Sequence, residues 1–147
     1  MKKLSLLPLL VTLFTFPASA DTAEELDKWF RDGYAALYLE NAWDKADEFA
    51  QYFTNDIAYR SDDGLEINDV NSFVIDSLDT WRSDGWEGTD VASLKTKLLN
   101  ASTALFKIKW HDRNKDGSST YECGWYFADK IDGEWLLSQY IVMECAE

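Results

Sequence analysis

His111 is the only histidine in the sequence, and Cys123 and Cys145 are the only cysteines. Imidazole and thiol chemistry can therefore be weighed residue by residue. A histidine offers a proton shuttle or a metal ligand near neutral pH. Alternation along the strand expected over residues 102–111 puts Ala104, Phe106, Ile108 and Trp110 on one face and sets His111 on the other with Lys107 and Lys109. His111 should thus face solvent or a subunit interface. With one histidine and no clustered ligands, no zinc site is expected. Neither cysteine has a histidine or a basic residue beside it to stabilise a thiolate, so no thiol nucleophile is expected. Asp112-Arg113-Asn114-Lys115-Asp116-Gly117 reproduces the opening of a calcium loop, in which Asp112, Asn114 and Asp116 would supply alternate oxygens. The rest of the loop fails. Position twelve is Cys123, Glu122 falls one place early, and the flanks read as strands, so a polar hairpin loop is the expected structure. No cofactor, resident metal or catalytic signature is expected from these residues.

The elements that would position such groups are legible from periodicity. Residues 120–145 read as strand, turn, strand. Asp132-Gly133 lies between apolar runs and predicts a type I′ turn, which needs φ > 0 at both positions. Pairing Ile131 with Glu134 without a bulge would place Cys123, Trp125 and Phe127 on one face with Leu136, Tyr140 and Val142. Tyr126, Ala128, Trp135, Leu137, Gln139, Ile141 and Met143 would lie on the other. Both faces are largely apolar and need cover: helices on one side and, as a working expectation, a second copy of the chain on the other.

Upstream, Thr22-Ala23-Glu24-Glu25 has capping-box form, and Leu26, Trp29, Phe30, Tyr34, Leu37 and Tyr38 follow at helical spacing. Asn41 is the expected N-cap of a second helix carrying Trp43, Ala46, Phe49, Ala50 and Phe53. The period then changes to two through Ile57 and Tyr59, with a turn at Ser61-Asp62-Asp63-Gly64 and a short return strand. Asn68 is the expected cap of a third helix to about Trp81. A loop at residues 83–89 precedes two long strands, at about 90–99 and 102–111.

The chain opens with Lys2 and Lys3, an apolar run from Leu4 to Phe16, and Pro17-Ala18-Ser19-Ala20. This is the form of a secretory signal with an Ala-x-Ala cleavage site, too short for a membrane span. A signal peptide over residues 1–20 and a single mature domain over residues 21–147 are expected, with a periplasmic or secreted location. Loss of Lys2 and Lys3 takes the formal charge from −13 to −15. Such a charge repels phosphate backbones and anionic headgroups, so neither nucleic acid nor a membrane surface is an expected partner. An oxidising compartment favours a Cys123–Cys145 disulfide. The unbulged register points the two side chains to opposite faces, and a bulge would restore the match. Two separate thiols remain the alternative.

The order helix, helix, short hairpin, helix, four antiparallel strands resembles the nuclear transport factor 2-like superfamily, with its SnoaL-like and ketosteroid isomerase-like members. Phe53-Thr54-Asn55-Asp56 looks like that group's junction of second helix and first strand, and Gly133-Glu134-Trp135 like its closing strand. The resemblance implies an α+β cone, in which three helices pack on a curved antiparallel sheet with a pocket in its concave face. In the isomerase-like members a carboxylate near the end of the first strand is the general base. Here that position is Ser61, with Asp62 and Asp63 adjacent, in a turn where solvent would keep a carboxyl acidic. The pocket candidates are Tyr34, Tyr38, Trp43, Tyr59, Trp81, Trp110, Gln139 and Tyr140. They would take a small apolar or aromatic ligand, although each is also an ordinary core residue. An exported, non-catalytic ligand-binding or interaction domain, homodimeric through the outer sheet face, is the leading expectation. The alternative is an isomerase, dehydratase or cyclase with Tyr34 or Tyr38 as hydrogen-bond donor and Asp62 or Asp63 as base.

Overall fold

A computed structural model describes residues 21–39 and 42–145. The expected signal segment and the expected N-cap Asn41 lie outside the described residues.

Helix α1 (Ala23–Lys28) begins with the capping box read from the sequence. Thr22 Oγ1 accepts from the Glu25 N–H at 3.2 Å, and Glu25 Oε2 accepts from the Thr22 N–H at 2.8 Å. The helix then widens into a π-helical turn (Trp29–Tyr34) and tightens into a 3-10 segment (Ala35–Tyr38). Across this change of pitch Phe30, Tyr34 and Tyr38 all stay buried toward the sheet. A 3-10 turn (Ala42–Asp44) leads to the short helix α2 (Ala46–Ala50). Strands β1 (Phe53–Ser61) and β2 (Gly64–Asp69) form the first hairpin, followed by α3 (Val70–Ser83). The cap of α3 is Asp69 rather than Asn68, since its carboxylate accepts from the N–H groups of Asn71 and Ser72.

Strands β3 (Trp86–Asn100), β4 (Thr103–Asn114), β5 (Ser119–Ile131) and β6 (Glu134–Met143) complete a six-stranded sheet in the order β2-β1-β6-β5-β4-β3. Every neighbouring pair is antiparallel except β1 with β6. Strand β3 starts at Trp86, earlier than expected, because the segment read as a loop already pairs with Arg113 and Asn114. The α+β architecture expected from the sequence is the architecture observed. Register shifts along β3, and another between β5 and β6, bend the sheet so that its concave face can hold the helices. The core fills that concavity: Phe30 stacks on Phe106 at 4.8 Å and meets Tyr126 edge to face at 5.4 Å.

The last hairpin turns as predicted, with Asp132 at φ 52° and Gly133 at φ 91°, and Ile131 opposite Glu134. The faces expected for β6 are corrected beyond Leu137. Leu137 pairs with Ala128, but Gln139 pairs with Phe127, so Ser138 is a bulge that flips every later side chain. Tyr140 and Val142 therefore join Tyr126 on the concave face, while Gln139, Ile141 and Met143 join Trp125 outside. The same flip brings Cys145 to the side of Cys123, and the two are bonded with Cα atoms 5.2 Å apart. No helix among the described residues is long and apolar enough to cross a membrane.

Candidate functional site

A cavity of about 500 Å³ opens between the end of the first helix, α3 and the concave face of β4 to β6. The bulge at Ser138 and the glycine at position 124 set its shape. Tyr140 points inward because of the bulge, and its ring lies flat over Gly124. A Cβ at Gly124 would sit 2.2 Å from the Tyr140 ring, so no other residue leaves room for it. Tyr140 stacks on Tyr126 with centroids 4.3 Å apart, and its hydroxyl donates to Glu122 Oε1. On the other side of Tyr126, its hydroxyl is 3.1 Å from that of Tyr34, which is 2.6 Å from that of Tyr38. Three buried phenols are thus linked in one chain. Burial pushes all three well above the ordinary phenol range, as it does Tyr140, so they remain protonated and able to donate.

The carboxylates of this wall come from β4 and β5. Glu122 lies opposite Trp110 on the concave face and contributes to the cavity lining while keeping part of its surface open to solvent. Partial desolvation against the cavity wall raises its carboxyl above the usual range. The nearby Asp112 charge adds to the rise and the Tyr140 hydrogen bond opposes it. Asp112, opposite Thr120, accepts from Thr89 Oγ1, which itself accepts from Trp86 Nε1 at 2.8 Å. Trp81 and Trp86 lie 5.6 Å apart at the α3 side, and Trp110 lies 5.2 Å from Tyr38.

Six of the eight residues expected in a pocket line this one: Tyr34, Tyr38, Tyr59, Trp81, Trp110 and Tyr140. Two do not. Gln139 is on the convex face because of the bulge. Trp43 stands behind the lining, edge-on to Trp86 at 5.0 Å with the Arg82 guanidinium over its ring. Asp62 and Asp63 sit in the exposed β1–β2 turn, outside the cavity, which removes them from the role of general base in it. His111 is on the convex face, stacked on Tyr121 at 5.0 Å. The calcium loop does not form. Asp112 and Asn114 line the cavity, while Asp116 accepts from the Ser118 N–H at 2.8 Å to close a hairpin turn. No cluster of three or more histidine, cysteine or carboxylate side chains suited to a metal exists among the described residues.

Sequence reasoning missed Glu122, Asp112 as a wall residue, Tyr126, Trp86 and Thr89. One signal for Glu122 was present. Glu122, Gly124, Tyr126 and Ala128 share a face by simple alternation, and a carboxylate ending a core-facing row must be paired, solvated or used.

A bent sheet closed over helices, with a polar-tipped aromatic cavity in its concavity, is the architecture of nuclear transport factor 2-like proteins. The chain belongs to the family described as NTF2-like protein (DUF6841), whose model matches residues 23–143. Solved structures share the fold at low identity. A Nostoc punctiforme protein of unknown function with a cystatin-like fold aligns with a TM-score of 0.62 at 13% identity, over 82% of this chain and 91% of its own. An NTF-2 like protein of unknown function from Shewanella oneidensis aligns with a TM-score of 0.59 at 13% identity, over 77% and 92%. A Xanthomonas campestris protein, provisionally named a polyketide cyclase, gives 0.55 at 13% identity, over 84% and 90%. No curated protein matches the sequence.

Proposed function

We propose that this chain is an exported domain that binds a small organic molecule in its concave cavity and does not transform it. The observation that carries this reading is the cavity itself, about 500 Å³ with aromatic walls and a few polar tips, the usual construction of a small-molecule site. Export rests on the N-terminal pattern of residues 1–20 and agrees with the Cys123–Cys145 bond. A homodimer through the convex face is part of the same reading. Trp125, Phe127, Ile141 and Met143 are only half-buried there, with the Lys107 ammonium 4.4 Å from the Trp125 ring as partial cover. Calorimetric titration of the processed protein with aromatic small molecules tests the binding. Saturable one-site heats that vanish when Trp110→Ala enlarges the cavity support it, and no binding at millimolar concentration overturns it. Light scattering at micromolar concentration decides the dimer.

One observation favours an enzyme as the second reading: Glu122 is a carboxylate with a raised proton affinity, in one cavity with a chain of phenolic donors. That is the pairing needed to move a proton and stabilise an oxyanion. The base would be Glu122, not Asp62 or Asp63. Deuterium exchange into a bound ketone, lost in Glu122→Gln, would establish it.

A further inference from the structure

The charges lining the cavity have one sign. Glu66, Asp76, Asp84, Asp112 and Glu122 contribute to the lining, and among the described residues no lysine, arginine or histidine does. Among the described residues, Glu122 and Asp112 have no cationic partner. Glu122 Oε1 is held by the Tyr140 hydroxyl and Asp112 Oδ1 by the Thr89 hydroxyl, both neutral groups. Among the described residues no hydrogen bond reaches Glu122 Oε2. Three of the chain's arginines and lysines that do form ion pairs, Arg31, Arg113 and Lys130, use Asp27, Asp90 and Asp21, none of which lines the cavity.

Beside these carboxylates stand the indoles of Trp81, Trp86 and Trp110 and the rings of Tyr38 and Tyr59. Aromatic faces carry negative potential and attract cations, most strongly where water is excluded. An anionic ligand would meet both the carboxylates and the ring faces as repulsion. A neutral ligand would pack against Phe49, Phe53, Val74 and Leu78 of the lining, but would displace water from Glu122 without supplying a counter-charge. An organic cation satisfies both. A bare metal ion fits poorly, since among the described residues no three ligand side chains converge and the space is that of a drug-sized molecule.

We propose that the ligand of this cavity is an organic cation, an amphipathic amine or quaternary ammonium. Its charged head sits between Glu122, Asp112 and the tryptophan faces, and its apolar body lies against Phe49, Phe53 and Leu78. This rests on the ligand-binding reading above and adds the ligand's chemical class. The formal charge of −15 after loss of residues 1–20 draws such molecules toward the protein and disfavours acids.

The test uses three probes of one shape: 2-(1-naphthyl)ethylamine, 2-(1-naphthyl)ethanol and 1-naphthylacetate, titrated calorimetrically at pH 7.5. The amine should bind about tenfold or more above the alcohol, with the acetate weakest. Glu122→Gln should bring amine and alcohol to within about threefold, by weakening the amine and strengthening the alcohol. Asp63→Asn, which removes the same charge from the exposed turn, should leave the preference intact. Equal binding of amine and alcohol, or a preference that survives Glu122→Gln, would overturn the cationic class and leave a working pocket. Failure of all three probes would overturn the pocket with it. Glu122→Gln is nearly isosteric, and its melting curve shows directly whether it has folded.

Discussion

Two acidic places in this chain, the Asp62-Asp63 turn and the Glu122–Asp112 wall, use the same functional group in opposite surroundings. Asp62 and Asp63 terminate a hairpin in open solvent, where water stabilises each charge and the side chains do the work of a turn. Glu122 and Asp112 stand on adjacent strands of a concave face, walled by Trp110, Tyr140 and the tryptophans of α3 and β3. Water is partly excluded there and the charges feel one another. A carboxylate's chemistry is therefore decided by which face of which strand carries it, and nearness to an expected sequence position is a poor guide to that.

The largest expected effect breaks the wall at its fastening. Reduction of Cys123–Cys145, which closes a loop with a sequence separation of 22, should cost about 3 kcal/mol in urea unfolding and free the end of β6 that carries Tyr140. Equal unfolding midpoints with and without reductant would show that the bond contributes nothing. Next, Gly124→Val forces a side chain into the Tyr140 ring. It should cost about 1–3 kcal/mol and weaken ligand binding, whereas Asp62→Ala in the turn should stay within about 0.5 kcal/mol. Similar costs at the two sites would erase the contrast between wall and turn.

The third effect is a pH dependence with a defined sign. Glu122 holds its proton more tightly in the folded chain than its ordinary 4.5 allows, so the folded state binds more protons than the unfolded one between the two values. Stability from this group is greatest below the unfolded value, declines as pH rises through the folded one, and is flat above it. The groups that face Glu122 are the Tyr140 hydroxyl from β6 and the Asp112 carboxylate from β4. Glu122→Gln should therefore raise the melting temperature near pH 7.5 and lose that advantage toward pH 4. Asp63→Asn should show no such crossover. The smallest effect is at the entry of the chain: Thr22→Ala removes the capping-box acceptor and should cost about 1 kcal/mol or less, without changing ligand binding.

Much of this molecule was legible before its structure. The capping box at Thr22, the Asp132-Gly133 turn and the spacing of Phe30, Tyr34 and Tyr38 are local signals, and the helices and strands follow from them with boundary shifts of a few residues. The convex position of His111 followed from alternation in one strand. The cavity wall was less legible. Gln139 and Tyr140 exchange faces because Ser138 adds one residue to β6, and nothing in Leu136-Leu137-Ser138-Gln139-Tyr140 marks which residue bulges. Trp86 and Thr89 were hidden in a stretch read as loop because Gly85 and Gly88 break its pattern, yet the backbone there pairs with β4.

Sequence alone determined the class of fold, the order of its elements, the strong negative charge and the supply of aromatic rings, because these depend on periodicity and composition within a few residues. Tertiary structure decided which rings face one another, which of the 27 acidic residues line the cavity, and that the cysteines meet. Those outcomes hang on strand parity and sheet curvature. A single bulge reverses parity for every residue after it, and its position is set by how the sheet wraps the helices as a whole.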